Sequence, residues 1–271
     1  MRNAVRFLAV ILALATIVSV TGCSSGSKSI AAGKDRAVSM MQILPADTSN
    51  FSFLDTYMIQ TDKNLSSDWE YMKAYYFGNS SLSEKFNGLV YADELSVFEG
   101  DFTLDQFVGN NSNGFYNYGG FKISTTTYNT SAVMINSSAV SGYDYDVRRC
   151  IDVVNGNRSS FYDNENVKAI MSLLPSGIEL AIQVMDNSSS SGEPIGSLAE
   201  GASWLKSGDD YVETKIYQFN SSDTAQQYVA TASNVSEDGT MHIDRTQNGT
   251  FVTEEMTPLA STPTPTPTLT P

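Results

Sequence analysis

The sequence predicts an α+β body, and three observations predict it. Ala37, Met40, Met41 and Leu44 fall at i, i+3, i+4 and i+7 and are followed by Pro45, while Val167, Ile170, Met171 and Leu174 repeat that spacing before Pro175. Each set is the apolar stripe of a helix stopped by proline, and an extended run follows each time, at 51–59 and at 178–185. Farther on, FEGDFTLDQFV (98–108) aligns with FNSSDTAQQYV (219–229): Thr103/Thr224, Gln106/Gln227 and Val108/Val229 are identical, and Phe107 faces Tyr228. The expected architecture is a tandem duplication of a helix–strand–(helix)–strand–helix–hairpin unit, with antiparallel or mixed sheets and helices on one face.

In chain order, the first copy covers 35–156 and the second 157–256. The two tryptophans, Trp69 and Trp204, fall in corresponding order between the first strand and the aligned run. Each copy closes on a hairpin, 115–123 with 132–135 and 241–245 with 251–255, the latter around Asn248-Gly249, a pair suited to the positive φ of a tight turn. Between the copies, Val147, Cys150, Ile151 and Val154 form another helical stripe ending at Asn155-Gly156, which places Cys150 inward. The first copy carries about fourteen additional residues around Tyr75, Tyr76, Phe77 and Asn87. The order of Leu-Pro before a strand, with SSFYDNENVKAIMSLLPSG leading the second copy, resembles an uncharacterised family of duplicated α+β domains in exported prokaryotic proteins. That likeness implies fold and location, and no site residues.

The two ends of the chain are different material. Arg2 and Arg6 precede an apolar run from Phe7 to Val20, with Thr16 and Ser19 the two polar residues within it. Its length suits a signal peptide of about 7–15 apolar residues rather than a spanning helix of about 20. Val20-Thr21-Gly22-Cys23 resembles the lipobox of prokaryotic lipoproteins, so residues 1–22 are expected to be a signal peptide and Cys23 the lipidated first residue, followed by a flexible tether over 23–34. One acyl chain holds a protein only marginally and two hold it firmly. The resemblance therefore implies anchoring at the outer face of the membrane. At the other end, Thr262-Pro263-Thr264-Pro265-Thr266-Pro267 withholds a backbone donor at alternate residues. The tail 257–271 is therefore expected to be disordered and extended.

Composition narrows the partners. The formal charge is −14, or −16 once Arg2 and Arg6 leave with the signal. Such a body is repelled by nucleic acid and by anionic headgroups. With Cys23 lipidated, Cys150 has no disulfide partner within the chain. Eleven of the nineteen asparagines, Asn50, Asn64, Asn79, Asn110, Asn129, Asn136, Asn157, Asn187, Asn220, Asn234 and Asn248, stand in Asn-x-Ser/Thr sequons. These are N-glycosylation acceptors on exported surfaces, and behind a lipobox their excess points to an archaeal cell envelope.

Chemistry is sparsely provided. His242 is the single histidine, set on a strand opposite apolar neighbours, and no nucleophile elbow accompanies it. No Cys/His set suits zinc and no DxDxDG loop suits calcium, so neither metal nor cofactor is expected. Acidic residues group at Asp93, Glu94, Glu99, Asp101 and Asp105, at Asp144 and Asp146, and at Asp209 and Asp210, which reads as solvated surface. Candidate binding residues are Tyr75, Tyr76 and Phe77 in the additional segment, with Tyr116 and Tyr118 in the Tyr/Asn/Gly-rich run 109–121, a mix found at recognition surfaces. The leading functional expectation is a non-catalytic structural or interaction module of the envelope, with a protein or glycan partner. A carrier of an apolar ligand and a carboxylate-dependent hydrolase are the alternatives.

Overall fold

The computed structural model describes residues 33–77, 81–126, 129–177, 179–186, 194–208 and 210–259. Residues 1–32, with the expected signal peptide, Cys23 and most of the tether, lie outside them, as do 260–271 in the Thr/Pro tail. Twelve strands form one sheet: β1 (Asn50–Leu54), β2 (Phe86–Ala92), β3 (Leu95–Gly100), β4 (Ser112–Tyr118), β5 (Phe121–Thr126), β6 (Ser131–Ile135), β7 (Ser138–Gly142), β8 (Glu179–Asp186), β9 (Ser197–Ser207), β10 (Asp210–Phe219), β11 (Met241–Asn248) and β12 (Phe251–Pro258). Their order is β11-β12-β10-β9-β8-β1-β2-β3-β7-β6-β5-β4, and every adjacent pair is antiparallel.

This overturns the expected fold class. The described residues form a single large antiparallel sheet with shorter helices laid on it, in place of two α+β units with antiparallel or mixed sheets of their own. β1 lies beside β8, Asn50 opposite Met185 and Leu54 opposite Ala181, so the sheet runs through the boundary drawn at 156/157. Outward from that pair, β2 and β3 follow on one side and β9 and β10 on the other.

The helices also cover both faces, not one. α1 (Gly33–Met41), α5 (Asp144–Val154) and α6 (Glu165–Leu173) pack on a first face, built from Phe51, Phe53, Val90, Val97, Val133, Val140, Ile182 and Val184. α2 (Thr56–Thr61) and α3 (Ser66–Phe77) pack on the second through Ile59, Leu65, Trp69 and Met72 against Leu54, Leu89, Ala202 and Trp204. α4 (Leu104–Val108) and α7 (Ser222–Thr231) join that second face, against Met134 and Ala132 and against Tyr217, Phe219 and Val252. Strand periodicity explains the division, because successive side chains point to opposite faces. Phe53 enters one core and Leu54 the other.

The helix starts are chemically marked. Asp55 Oδ1 accepts from the Met58 amide at 3.0 Å and starts α2. Thr103 and Gln106 form a reciprocal capping box on α4, Asn164 caps α6, and Ser221 caps α7. Each cap satisfies amides that the first turn leaves without partners. The run expected to be extended from 51 to 59 is therefore strand only to Leu54, because Asp55 is a better helix cap than strand residue.

Candidate functional site

Arg36 organises the first face. It is buried on α1, and its Nη1 meets Asp55 Oδ2 at 2.6 Å while Nε donates to Glu99 Oε2 at 2.8 Å. Nη2 donates to the Asn87 carbonyl, and the guanidinium lies 5.4 Å from the centre of the Phe53 ring. Gly88 makes the approach possible, since a Cβ there would sit 2.7 Å from Nη2. One cation thereby joins α1, β1, β2 and β3. On the second face, Lys206 Nζ at 2.6 Å and the Tyr211 hydroxyl at 2.9 Å both donate to Asp62 Oδ2 at the end of α2. Burial opposes that charge, but these donors and the Asn64 amide hold the Asp62 carboxyl below the usual range.

The sequence-predicted candidates are dispersed. Tyr116 and Tyr118 turn from β4 toward α5: the Tyr116 hydroxyl donates to Asp144, the Tyr118 hydroxyl donates to Asp152 Oδ1 at 3.1 Å, and Arg148 lies over both rings. They clamp a helix to the sheet rather than offering an open aromatic face. Tyr75, Tyr76 and Phe77 occupy the last turn of α3, and their side chains lie outside the described residues. Cys150 is fully buried on α5, and desolvation pushes its thiol up to about 12, which keeps it protonated and unreactive. His242 Nε2 stands 3.2 Å from Asp244 Oδ1 on half-exposed β11. The acidic runs separate: Glu99 serves Arg36, Asp105 faces Lys122, Asp93 binds Ser49 and Asn50, and Asp144 serves Tyr116, Ser131 and Arg148. Asp209 lies outside the described residues, as does the side chain of Asp210.

A different group converges on the second face, across β9, β10, β12 and β11. Alternation along β10 puts Glu213, Lys215 and Tyr217 on one side, opposite Trp204, Ala202 and Glu200 of β9. Lys215 is also opposite Glu254 of β12, and Glu254 is opposite Arg245 of β11. Arg245 Nε donates to Glu254 Oε1 at 2.6 Å, and the Tyr228 hydroxyl of α7 donates to the same oxygen at 2.6 Å. Lys215 Nζ stands 3.4 Å from Glu213 Oε1. Trp204 Nε1 is buried with no hydrogen bond among the described residues.

This row separates the apolar cluster under α2 and α3 from the one under α7. Glu254 is neutralised by Arg245, whereas Glu200 and Glu213 share Lys215. Desolvation therefore wins at Glu200, raising its carboxyl to about 7 against the pull of Lys215. Glu213 is raised for the same reason, and burial lifts the Tyr228 phenol to about 12. The group can exchange a proton near neutrality and, once both acids ionise, holds one negative charge beyond what Lys215 and Arg245 balance. Sequence reasoning missed it, although the alternation Tyr211, Glu213, Lys215, Tyr217 against Val212, Thr214, Ile216 was its signal.

No protein-family model matches the chain. Over 191 residues it is 29% identical to the uncharacterized protein MJ0635 of Methanocaldococcus jannaschii, an alignment covering 64% of this chain and 65% of that protein. The chain thus spans just under two thirds of that relative. Among solved structures, crystal form III of TP0453 superposes with a TM-score of 0.48 at 7% identity, covering 80% of this chain and 93% of that one. Crystal form I gives 0.47 at 10% identity, covering 80% and 92%.

Proposed function

We propose that this chain is a cell-envelope lipoprotein, held at the outer face of the membrane through Cys23, whose body is a non-catalytic interaction module. One observation carries the reading of the body: its paired charges, buried or half-buried, hold elements together. Arg36 with Asp55 and Glu99, Asp62 with Lys206 and Tyr211, Asp144 with Tyr116, and Glu254 with Arg245 and Tyr228 each join separate segments. A hydrolase would instead need two carboxylates aimed at a shared substrate position. The close seating of α1 and α6 on the first face weighs against the carrier alternative, which needs an apolar cavity enclosed by the sheet. A Cβ on Gly201 would collide with Ile170 of α6, and one on Gly88 with Arg36 of α1.

The anchoring part of the proposal rests on the pattern at residues 2–23, and no helix among the described residues is long and apolar enough to span a membrane. The first described residue, Gly33, is ten positions from Cys23. At about 3.3–3.6 Å per extended residue the tether reaches no more than roughly 35 Å, which keeps α1 close to the bilayer. The relative from an archaeon fits an archaeal envelope. We also read the body as two copies of one unit. The Phe98–Phe107 ring pair, at 5.1 Å, recurs as Phe219–Tyr228 at 5.3 Å, each joining a strand to the helix after it.

Metabolic labelling with a radioactive lipid precursor, mevalonate for isoprenoid ether chains and a fatty acid for acyl chains, tests the anchor: label from one of them and membrane attachment are expected in the native protein and lost in Cys23→Ser. Retention of both by the variant would overturn it. Native mass spectrometry of the released body tests the module reading, which expects the mass of the polypeptide and its covalent modifications. A co-purifying lipid would favour the carrier.

A further inference from the structure

The eleven sequons are not equivalent once folded, and the differences lie in which atoms of each tripeptide remain accessible. Nine lie among the described residues; Asn79 and Asn187 do not. Asn50 begins β1, its Nδ2 donates to Asp93 Oδ1 at 2.6 Å, and the following Phe51 and Ser52 are buried. Asn64 is half-buried and leads into buried Leu65. Asn129 and Asn136 are exposed, but the hydroxyl residues completing their sequons are buried. Ser131 is 1% exposed and donates to Asp144 Oδ1, and Ser138 is 8% exposed.

The other five present both ends of the motif. Asn110, Asn157, Asn220, Asn234 and Asn248 are exposed, and none of Ser112, Ser159, Ser222, Ser236 and Thr250 is buried. Four sit in connections: a short turn before β4, the loop after α5, the residue leading into the α7 cap and the loop beside β11; the fifth, Asn248, ends β11 at its tight turn. At two of them the amide oxygen is the engaged atom. Thr224 Oγ1 donates to Asn220 Oδ1 at 3.0 Å, and Arg245 Nη1 donates to Asn234 Oδ1 at 3.1 Å. In both cases the contact can persist when the nitrogen is substituted, whereas at Asn50 the nitrogen itself makes the contact.

We propose that the folded body is N-glycosylated, with Asn110, Asn157, Asn220, Asn234 and Asn248 as the acceptors and Asn50, Asn64, Asn129 and Asn136 left bare. The inference rests on the export reading above. The donor is an activated sugar phosphate, lipid-linked or nucleotide-linked. The side-chain nitrogen attacks its anomeric carbon, a C–N bond forms, the bond from that carbon to the phosphate oxygen breaks, and the amide surrenders one proton to a base. Connections accept the added bulk because their backbones run over the surface, where substituents are tolerated.

Glycopeptide mapping by mass spectrometry, on native protein from membranes and on the Cys23→Ser form wherever it fractionates, tests the assignment. Sugar on two or more of the five, with the four bare, is the expected result in both preparations. Sugar at Asn50, Asn64, Asn129 or Asn136 at comparable occupancy, or on fewer than two of the five, overturns it. The preparations keep the two readings apart: a glycosylated Cys23→Ser protein still bound to membrane defeats the anchor and leaves the acceptor set intact. Membrane-released protein without sugar does the reverse.

Discussion

At the residue scale, Arg36 and Glu200 show opposite outcomes of burying charge. Arg36 is fully paired, so removing it strands Asp55 in the interior. Breaking one side of a buried pair costs about 3–5 kcal/mol, and Arg36→Met should lower the urea midpoint accordingly. Adding Asp55→Asn should recover part of the loss, because the stranded charge goes with it. Glu200 is under-paired, and its folded carboxyl titrates near 7 instead of 4.5. The folded state thus holds this proton more tightly than the unfolded chain. Its stabilising contribution is complete below about pH 4.5 and is lost as pH rises through 7. Glu200→Gln should flatten that slope and leave the protein more stable than the parent at pH 8, by an amount on the order of 2 kcal/mol after allowing for partial exposure. Urea titrations of both proteins at pH 5 and pH 8 measure it. A parent whose stability rises between those values, relative to the variant, would contradict the burial of Glu200. The inward placement of Cys150 was legible from its helical stripe. The Glu200 group was not, because its members come from four strands and their meeting depends on register.

At the scale of elements, local signals carried further than long-range ones. The stripe ending at Pro45 is α1, the stripe at 147–154 is α5, and FTLDQFV and SDTAQQYV are strand-to-helix transitions with capping residues. The tryptophan match failed instructively: Trp69 lies on helix α3 and Trp204 on strand β9, yet both fill one cluster on the second face. Equal order in a sequence did not make them equivalent, because α2 and α3 lie between β1 and β2, whereas among the described residues β9 is the next element after β8. The extended run after Leu54 was misread for a related reason, since apolar residues alone cannot separate a short strand from a strand followed by a capped helix. Close helix-to-sheet approach is likewise invisible until the strands are ordered. Gly201 of β9 is the point where Ile170 and Leu174 reach the sheet. Gly201→Ala should therefore push α6 outward and cost about 1–3 kcal/mol through overpacking. Gly208→Ala would not test this contact, because Gly208 has φ +66 and a Cβ there meets nothing within 4 Å. Thermal unfolding monitored by circular dichroism reads the Gly201 effect, and an unchanged midpoint would show that α6 does not rest on that strand.

At the scale of the whole molecule, the central question is what one sheet does to two halves. β1 and β8, the strands expected to open separate units, are neighbours at its middle. They share five paired positions, and a single core joins α1 and α5 to α6 across the first face. Pro45 also bridges to Ser160, and the Phe161 amide donates to the Leu44 carbonyl, so the linking segment is itself part of the structure. Cutting between 156 and 157 would expose the edges of two buried central strands, the feature that natural sheets hide to avoid pairing with other chains. Fragments 33–156 and 157–259 are therefore expected to aggregate or remain unfolded when expressed alone. Mixed during refolding, they should form a one-to-one complex with the circular dichroism of the intact body. The intact body, for its part, should unfold in one transition when tryptophan fluorescence and far-ultraviolet circular dichroism are followed together, because Trp69 and Trp204 report from both halves through one cluster. Two separated transitions, or a fragment that is monomeric and folded by itself, would mean that the β1–β8 seam is a contact between independent domains and that the continuous sheet is not the unit that folds.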